Sequence, residues 1–268
     1  MIQSVISYMR CSQCAGTQLR AHANGVSCNT CGIDFPLRDG ILDMLGDEAA
    51  EVITPFQRLM QTPLVVSVYE RFWRPLGYYL ASSRSFSEEV RTVLRVVGRS
   101  DHSRILDLAC GPGVFTRPLA HRSQGFVVGF DLSLPMLRRA QALAAQESLP
   151  NIIFIRGTVF KLPFVSGAFP LINCCGALHL FDRPDPALKE IGRVLGGGGH
   201  LSIQTTIRPS YTPGFTYLLE RLIRFGFFDE GELREKLRLH GLRILASERH
   251  RISYTLLARN DMMSPHTR

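Results

Sequence analysis

Short apolar runs alternate with amphipathic stretches along the chain from about residue 104 onwards. Nearly continuous apolar runs of strand length are typical of strands buried on both faces of a parallel sheet. The stretches between them repeat their apolar residues at helical spacing, as crossover helices do. The pattern therefore predicts an α/β fold in which helices cover a mostly parallel sheet.

The predicted strands and helices alternate regularly. Strands are expected at 104–109, 126–130, 152–156, 169–176 and 200–204, and then at 242–248 and 252–258. Helices are expected at 114–122, 134–146, 185–194 and 230–239. Ser133 is the predicted N-cap of the second of these helices, and Pro135 falls in its first turn.

The chain before this alternating region has two parts of different character. Residues 1–45 are rich in turns and cysteines and poor in strand-like pattern, which indicates a small module. Residues 46–100 are mostly helical in pattern and are expected to form a lid or linker, with Ser87 capping a helix that runs through Val97. The main domain is then expected at 101–260, and a flexible tail at 261–268.

Composition is that of a globular protein. The 268 residues are 45% hydrophobic and 20% charged, enough for one α/β domain with a small appendage. No apolar stretch reaches the roughly 18 residues of a membrane helix, and the first ten residues do not resemble a signal peptide. A cytoplasmic location is expected.

Cysteine usage agrees with a reducing compartment. Four of the seven cysteines form two CxxC pairs, and Cys110, Cys174 and Cys175 lie in apolar runs, which is not a disulfide framework. The formal net charge of +8 favours a polyanionic partner, but the arginines are spread along the chain. Nucleic acid is therefore the weaker of the partner hypotheses.

A glycine-rich turn follows the first predicted strand of the main domain. Gly111 and Gly113 allow the backbone to approach a ligand where a Cβ would collide. Asp131 ends the next predicted strand, and a carboxylate there can accept both hydroxyls of a ribose. Thr116 occupies the third glycine position of a dinucleotide fingerprint, so a sulfonium ligand bearing adenosine is favoured over NAD.

Several motifs in order resemble those of the class I S-adenosylmethionine-dependent methyltransferases, over about residues 101–259. Residues 107–113 resemble the first motif of that family, Asp131 its ribose acid, and 156–159 with 162–164 its adenine-edge loop. Residues 176–179 resemble the fourth motif, and 190–195 with 198–199 the helix, turn and strand after it. The resemblance implies a Rossmann-like fold with a mostly parallel seven-stranded sheet, and S-adenosylmethionine as cofactor.

The resemblance also implies a set of cofactor-binding residues. It comprises Asp107, Ala109, Cys110, Gly111, Gly113, Phe115, Asp131, Leu132, Met136, Thr158, Val159, Cys175 and Gly176. Two positions depart from the family. Thr158 replaces an acid that often binds the adenine amine, and Pro170 stands where an Asp commonly opens the fourth strand.

Four cysteines near the N-terminus have the spacing of a zinc ribbon. Cys11 and Cys14 are separated from Cys28 and Cys31 by thirteen residues. Each CxxC pair can bind one metal ion from a tight turn, and four thiolates complete the tetrahedral shell that Zn²⁺ prefers. Such a site has no open position and is expected to be structural, whereas disulfides or unligated thiols are the weaker alternatives.

A zinc ribbon before this fold is similar to two groups of methyltransferases. One is the bacterial ribosomal-RNA guanine methyltransferases that have an N-terminal zinc module. The other is a group of poorly characterised plastid and bacterial enzymes of the small-molecule type, and residues 40–44 and 62–74 are more similar to that second group.

His179 is the candidate catalytic residue, because it follows the fourth predicted strand, where ligands bind in open α/β sheets. A near-neutral pKa would let it deprotonate a hydroxyl or an acidic carbon, whereas a histidine that packs against the lid or caps a loop is the slightly simpler explanation. Two aromatic groups are candidates for the acceptor pocket. They are Tyr69, Phe72, Trp73, Tyr78 and Tyr79 as a lid, and Tyr211, Phe215 and Tyr217 as a wall.

Three functions fit these features. The leading hypothesis is methyl transfer to an oxygen or carbon of a small, largely apolar metabolite. The alternative is methylation of RNA through the ribbon, which the scarcity of basic residues disfavours, since Arg20 is the only one between Cys11 and Cys31. The third is a non-enzymatic cofactor-binding module.

Overall fold

The computed structural model describes residues 2–45, 62, 74–98, 103–209 and 226–262. Its strands are β1 (Leu19–His22), β2 (Gly25–Cys28), β3 (Asp34–Arg38), β4 (Ile41–Asp43), β5 (Arg104–Leu108), β6 (Phe126–Asp131), β7 (Ile152–Arg156), β8 (Phe169–Cys175), β9 (Leu195–Thr206), β10 (Leu242–His250) and β11 (Ser253–Asn260). Its helices are α1 (Ile2–Val5), α2 (Arg74–Ser82), α3 (Phe86–Val97), α4 (Thr116–Arg122), α5 (Leu134–Gln146), α6 (Pro184–Val194) and α7 (Glu230–Leu239), with short 3₁₀ turns at Ile6–Tyr8 and Leu178–Leu180.

The predicted seven-stranded sheet is confirmed. Its order is β7-β6-β5-β8-β9-β11-β10, and only β11 runs against its neighbours. Helices α3, α4 and α5 pack on one face, while α6 and α7 pack on the other. From β5 the chain adds β6 and β7 on one side, and it then crosses to the other side of β5 to add β8 and β9. The carboxyl ends of β5, β6 and β8 therefore flank a topological switch point, where ligands bind in such folds.

The cysteine-rich module continues this sheet. Strands β1 to β4 form an antiparallel meander, and β4 pairs parallel with β7 through Leu42 with Ile155 and Asp43 with Arg156. The described residues therefore form a sheet of eleven strands. The expectation that residues 1–45 are poor in strands is wrong, because strands as short as β1 to β4 are too short to show a clear alternation in sequence. Val5, Met9 and Phe35 of the N-terminal part belong to the same buried cluster as the core strands of the main domain.

Most predicted element boundaries are confirmed, and α5 and α7 have the predicted ends. Ser133 caps α5 as predicted, its hydroxyl accepting from the Met136 N–H at 3.4 Å. The prediction of Ser87 as the cap of α3 is wrong, because Ser85 caps it instead. Ser85 and Glu88 form a reciprocal capping box that satisfies two backbone donors, which Ser87 cannot do.

Pro170, which departs from the family pattern, lies within β8. The pairing of β8 with β9 shifts register between Phe169 and Leu171. A proline has no N–H to donate, and sheets accommodate it at such irregularities. No helix in the described part of the chain is long and apolar enough to cross a membrane.

Candidate functional site

The glycine-rich turn between β5 and α4 is built from left-handed residues. Ala109, Gly111 and Gly113 have φ angles of 53°, 53° and 80°. A Cβ at Gly113 would lie 3.1 Å from the Cβ of Ala140 in α5, so only glycine allows this close approach without a shift. The turn thereby lies at the carboxyl end of β5, with Gly111 partly exposed and Gly113 buried.

Asp131 lies beside this turn, at the end of β6. Its carboxylate accepts from the backbone N–H of Gly111 and of Ser133, each at 2.8 Å. Burial raises the pKa of this carboxyl group, and the two backbone donors oppose the rise. The backbone oxygen of Asp131 accepts from the Gly157 N–H at 3.0 Å, which brings the loop after β7 to the same place.

The buried carboxylate of Asp107 connects the strands and the helix that carry the glycine-rich turn. Its two oxygens accept from Asn173 Nδ2 at 2.7 Å and from Thr116 Oγ1 at 2.5 Å, so one buried carboxylate joins β5, β8 and the start of α4. Burial raises the pKa of Asp107 to about 6, against the effect of these hydrogen bonds. Because both oxygens are engaged by the protein, Asp107 is placed to shape the turn.

The other residues implied for the cofactor lie along the same edge of the sheet. Ala109, Leu132, Thr158 and Val159 are half-buried, and Cys110, Phe115, Met136 and Cys175 are buried. Gly176 follows β8 with a φ of 76°. The structure thus brings the predicted set together at the carboxyl ends of β5 to β8, although their contacts with a cofactor stay a prediction.

An arginine that no sequence motif indicated also lies at this edge. The guanidinium of Arg74 lies directly over Gly176 and 5.9 Å from the centre of the Phe115 ring. It donates to the carboxylate of Glu89, which is 1% exposed, and lies 3.5 Å from Gln204 Oε1. An arginine inside the aromatic-rich stretch was the only signal in the sequence.

Glu89, the partner of Arg74, is a carboxylate that is almost completely buried. Its burial raises its pKa even though the charge of Arg74 opposes the rise. Its Oε2 atom has no hydrogen-bond partner among the described residues. A buried ion pair of this kind contributes little net stability, because desolvation offsets the attraction, so its position beside Gly176 is the more informative fact.

His179 lies in the 3₁₀ turn after β8 and is buried, with its Nδ1 atom 3.4 Å from Thr205 Oγ1. Burial, with the charge of Arg74 as a second cause, lowers its pKa to about 3. The imidazole is therefore neutral at physiological pH, which a proton acceptor requires, but its affinity for a proton is low. Its catalytic role stays a prediction.

The two aromatic groups are only partly described. Tyr78 is 6% exposed and packs in the interior, whereas Tyr79 is 58% exposed. Tyr69, Phe72 and Trp73 of the predicted lid lie outside the described residues. The predicted wall residues Tyr211, Phe215 and Tyr217 also lie outside them.

The four predicted ligand cysteines converge in space. Their sulfur atoms all lie within 4.8 Å of one another, and the distances from Cys11 to Cys31 and from Cys14 to Cys28 are both 3.7 Å. Sulfurs about 2.3 Å from a tetrahedral Zn²⁺ ion are roughly 3.8 Å apart, so the cluster fits that ion. Although burial opposes the change, backbone N–H groups of Cys31 and Thr30 lower the pKa of Cys28 to about 6, whereas burial raises the pKa of Cys11 to about 12.

Residues 105–199 match a family described as a methyltransferase domain. The chain is 31% identical over 237 residues to an uncharacterised chloroplastic methyltransferase of Arabidopsis thaliana, covering 81% of this chain and 65% of the relative. It is 33% identical over 134 residues to a demethylmenaquinone methyltransferase of Renibacterium salmoninarum, covering 50% and 54% respectively. The chain thus spans less than two thirds of the length of either relative.

Solved structures also share the fold. A SAM-dependent methyltransferase from Aquifex aeolicus superposes with a TM-score of 0.58 at 17% identity, covering 74% of this chain and 98% of that one. At this level of identity the likeness concerns the fold.

Proposed function

We propose that this chain is a class I, S-adenosylmethionine-dependent methyltransferase that methylates a small, largely apolar metabolite at oxygen or carbon. The match of residues 105–199 to a methyltransferase domain family supports the proposal. The observation that carries the proposal is the meeting of Gly111, Asp131 and Gly157 at one edge of the sheet. That arrangement offers a carboxylate for a ribose next to a backbone turn that an amino-acid group can approach.

The cofactor supplies an electrophilic methyl group on sulfur when it is bound. In the proposal, Asp131 accepts hydrogen bonds from the ribose hydroxyls through the lone pairs that Gly111 and Ser133 leave open. Thr158 and Val159 would border the adenine, and the turn at Ala109 to Gly113 would hold the methionine end. Transfer then depends mainly on holding the acceptor atom in line with the methyl group.

The acceptor would lie beside Arg74, whose guanidinium occupies the space over Gly176, at the edge of the sheet where His179 follows β8. A guanidinium at this point favours an acceptor with a partly or fully ionised oxygen, because its positive charge stabilises that form. An acceptor that is already ionised needs no general base. Should the acceptor bind as a neutral hydroxyl, His179 would be the candidate proton acceptor, as a weak base because burial lowers its pKa to about 3.

Two observations support a small molecule over RNA. The similar enzyme of Renibacterium salmoninarum is named for demethylmenaquinone, a small apolar acceptor. Enzymes that methylate the amines of nucleic-acid bases have an Asn-Pro-Pro-Tyr run after this strand, whereas this chain has Gly-Ala-Leu-His at 176–179. The net charge of +8 is what favours the RNA alternative.

The four cysteines would hold one Zn²⁺ ion through their thiolates. With all four positions filled by protein, the ion would join the Cys11 turn to the Cys28 turn and take no part in the reaction. The predicted cytoplasmic location and the domain boundaries at 45, 100 and 260 also stay proposals.

Titration calorimetry with S-adenosylhomocysteine tests the cofactor site. Wild type is expected to bind at micromolar concentration, and Asp131→Ala is expected to bind at least a hundredfold more weakly, since two charge-assisted hydrogen bonds are lost. Asp39→Ala, which removes an exposed carboxylate paired with Arg138, serves as the control. Absence of binding to wild type would refute the proposal.

The acceptor class is tested with the radiolabelled methyl donor. Hydroquinones and phenols with apolar substituents are compared with ribosomal RNA transcripts at equal enzyme concentration. Label that appears only in RNA would replace the small-molecule proposal with the alternative.

A further inference from the structure

The ribbon reaches the candidate cofactor site through one buried carboxylate. Asp43, at the end of β4, is 6% exposed, and its Oδ2 atom accepts from Arg156 Nη1 at 3.0 Å. The same guanidinium donates through Nε to the backbone oxygen of Leu132 at 3.1 Å. Arg156 therefore spans from a ribbon residue to the residue directly after the ribose acid.

Arg156 also begins the loop implied for the adenine. Its backbone oxygen accepts from the Met44 N–H at 2.9 Å, and Gly157 beside it donates to Asp131. Asp43, the last residue of β4, thus binds the side chain of Arg156, and Met44, the next residue, binds its backbone. The positions of the loop at 157–159 and of Leu132 depend on the same ribbon strand.

A second group of contacts ties the cysteine turn to the far end of this loop. Val165 N–H donates to the Tyr8 oxygen at 2.9 Å, and Arg10 N–H donates to the Pro163 oxygen at 3.1 Å. Ser12, between two ligand cysteines, donates from its hydroxyl to the Met44 oxygen at 2.8 Å. The ribbon therefore holds the loop from both ends.

We infer that Asp43 is a positioning residue for the adenosine of the cofactor, acting through Arg156 on Leu132 and on the adenine loop. The inference rests on the proposed function. The Arg156 guanidinium bridges the Leu132 backbone oxygen and the Asp43 carboxylate, and it keeps this orientation only while both acceptors are present. Asp43 is the charged acceptor and therefore the stronger one. Without that charge, Arg156 gains freedom to turn toward solvent and release the Leu132 carbonyl. The ribbon is then part of the cofactor site and more than an appendage.

Asp43→Asn is the test, because it keeps the size of the side chain and an oxygen to accept from the Leu45 N–H while removing the charge. Asp39→Asn is the matched control, because Asp39 also joins the ribbon to the main domain, through the exposed Arg138 at 2.8 Å on α5. Calorimetric affinities are measured for S-adenosylhomocysteine and for 5′-methylthioadenosine, which lacks the amino-acid end. Zinc content and thermal melting are measured on the same samples.

Asp43→Asn is expected to lower the affinity for both ligands by the same factor, on the order of tenfold, with the zinc content unchanged. Asp39→Asn is expected to bind both as wild type does, and Asp43→Glu is expected to restore part of the loss. Binding by Asp43→Asn within twofold of wild type would overturn the inference and leave the proposed function standing. A wild type that binds neither ligand would overturn both.

Arg156→Lys provides the same test if Asp43→Asn does not fold. A lysine keeps the charge opposite Asp43 but, without the planar fork, reaches only one of the two acceptors. The expected result is again an equal loss for both ligands. Affinities within twofold of wild type would overturn the inference here as well.

Discussion

Because buried His179 is neutral in the folded chain, the loss of folding stability in acid tests its burial directly. Its pKa is lowered from 6.5 to about 3 by burial and by Arg74, so the folded chain does not take up the proton that the unfolded chain binds. Stability therefore rises with pH wherever the unfolded state holds more protons. The contribution of His179 is complete above pH 6.5 and is lost progressively as pH falls toward 3.

The size of the effect follows from these two pKa values. At pH 5 the unfolded imidazole is almost fully protonated and the folded one is not, which corresponds to about 2 kcal/mol. At pH 7.5 the same difference is close to zero. Asp107, with a pKa raised to about 6, changes stability in the opposite direction over this range, so wild type alone does not isolate His179.

Urea denaturation at pH 7.5 and pH 5.0 of wild type and His179→Gln makes the comparison. Glutamine stays neutral at both values, and the contribution of Asp107 is common to both proteins and cancels. Wild type is expected to lose about 2 kcal/mol more than His179→Gln on moving to pH 5.0. Equal losses in the two proteins would show that His179 titrates normally when folded and would refute its burial as described.

Three further predictions concern the ribbon and the core. Cys28→Ser is expected to abolish stoichiometric zinc binding, seen by metal analysis, and to lower the melting temperature, because metal affinity is coupled to folding; retained zinc would contradict the four-thiolate site. Glu89→Ala leaves the charge of Arg74 buried without its carboxylate and is expected to cost roughly 3–5 kcal/mol in urea denaturation, and a loss under 1 kcal/mol would indicate that Arg74 reaches water. Phe164→Ala removes a fully buried ring packed edge-on at 4.9 Å from Phe169 and is expected to cost about 3–5 kcal/mol by the same method, whereas a loss below 1 kcal/mol would contradict this packing.

Local signals in the sequence were sufficient for the seven strands of the main domain and for two ligand sets, but not for β1 to β4. Apolar runs marked β5 to β8, and capping residues marked α5, because burial periodicity and orphan backbone donors are decided within one segment. Cysteine spacing predicted the cluster at Cys11 and Cys28, since each CxxC turn forms locally. The turn at Gly111 and the acid at Asp131 were likewise found from adjacent strands.

Contacts between distant segments were decided only by the tertiary structure. Nothing in the sequence indicated that β4 would pair with β7 more than a hundred residues later, or that Asp43 would meet Arg156. Arg74 over Gly176 and the burial that lowers the pKa of His179 arise in the same way. Such contacts depend on how whole elements pack, and one segment carries no periodic or capping signal for a partner that folding brings to it from elsewhere.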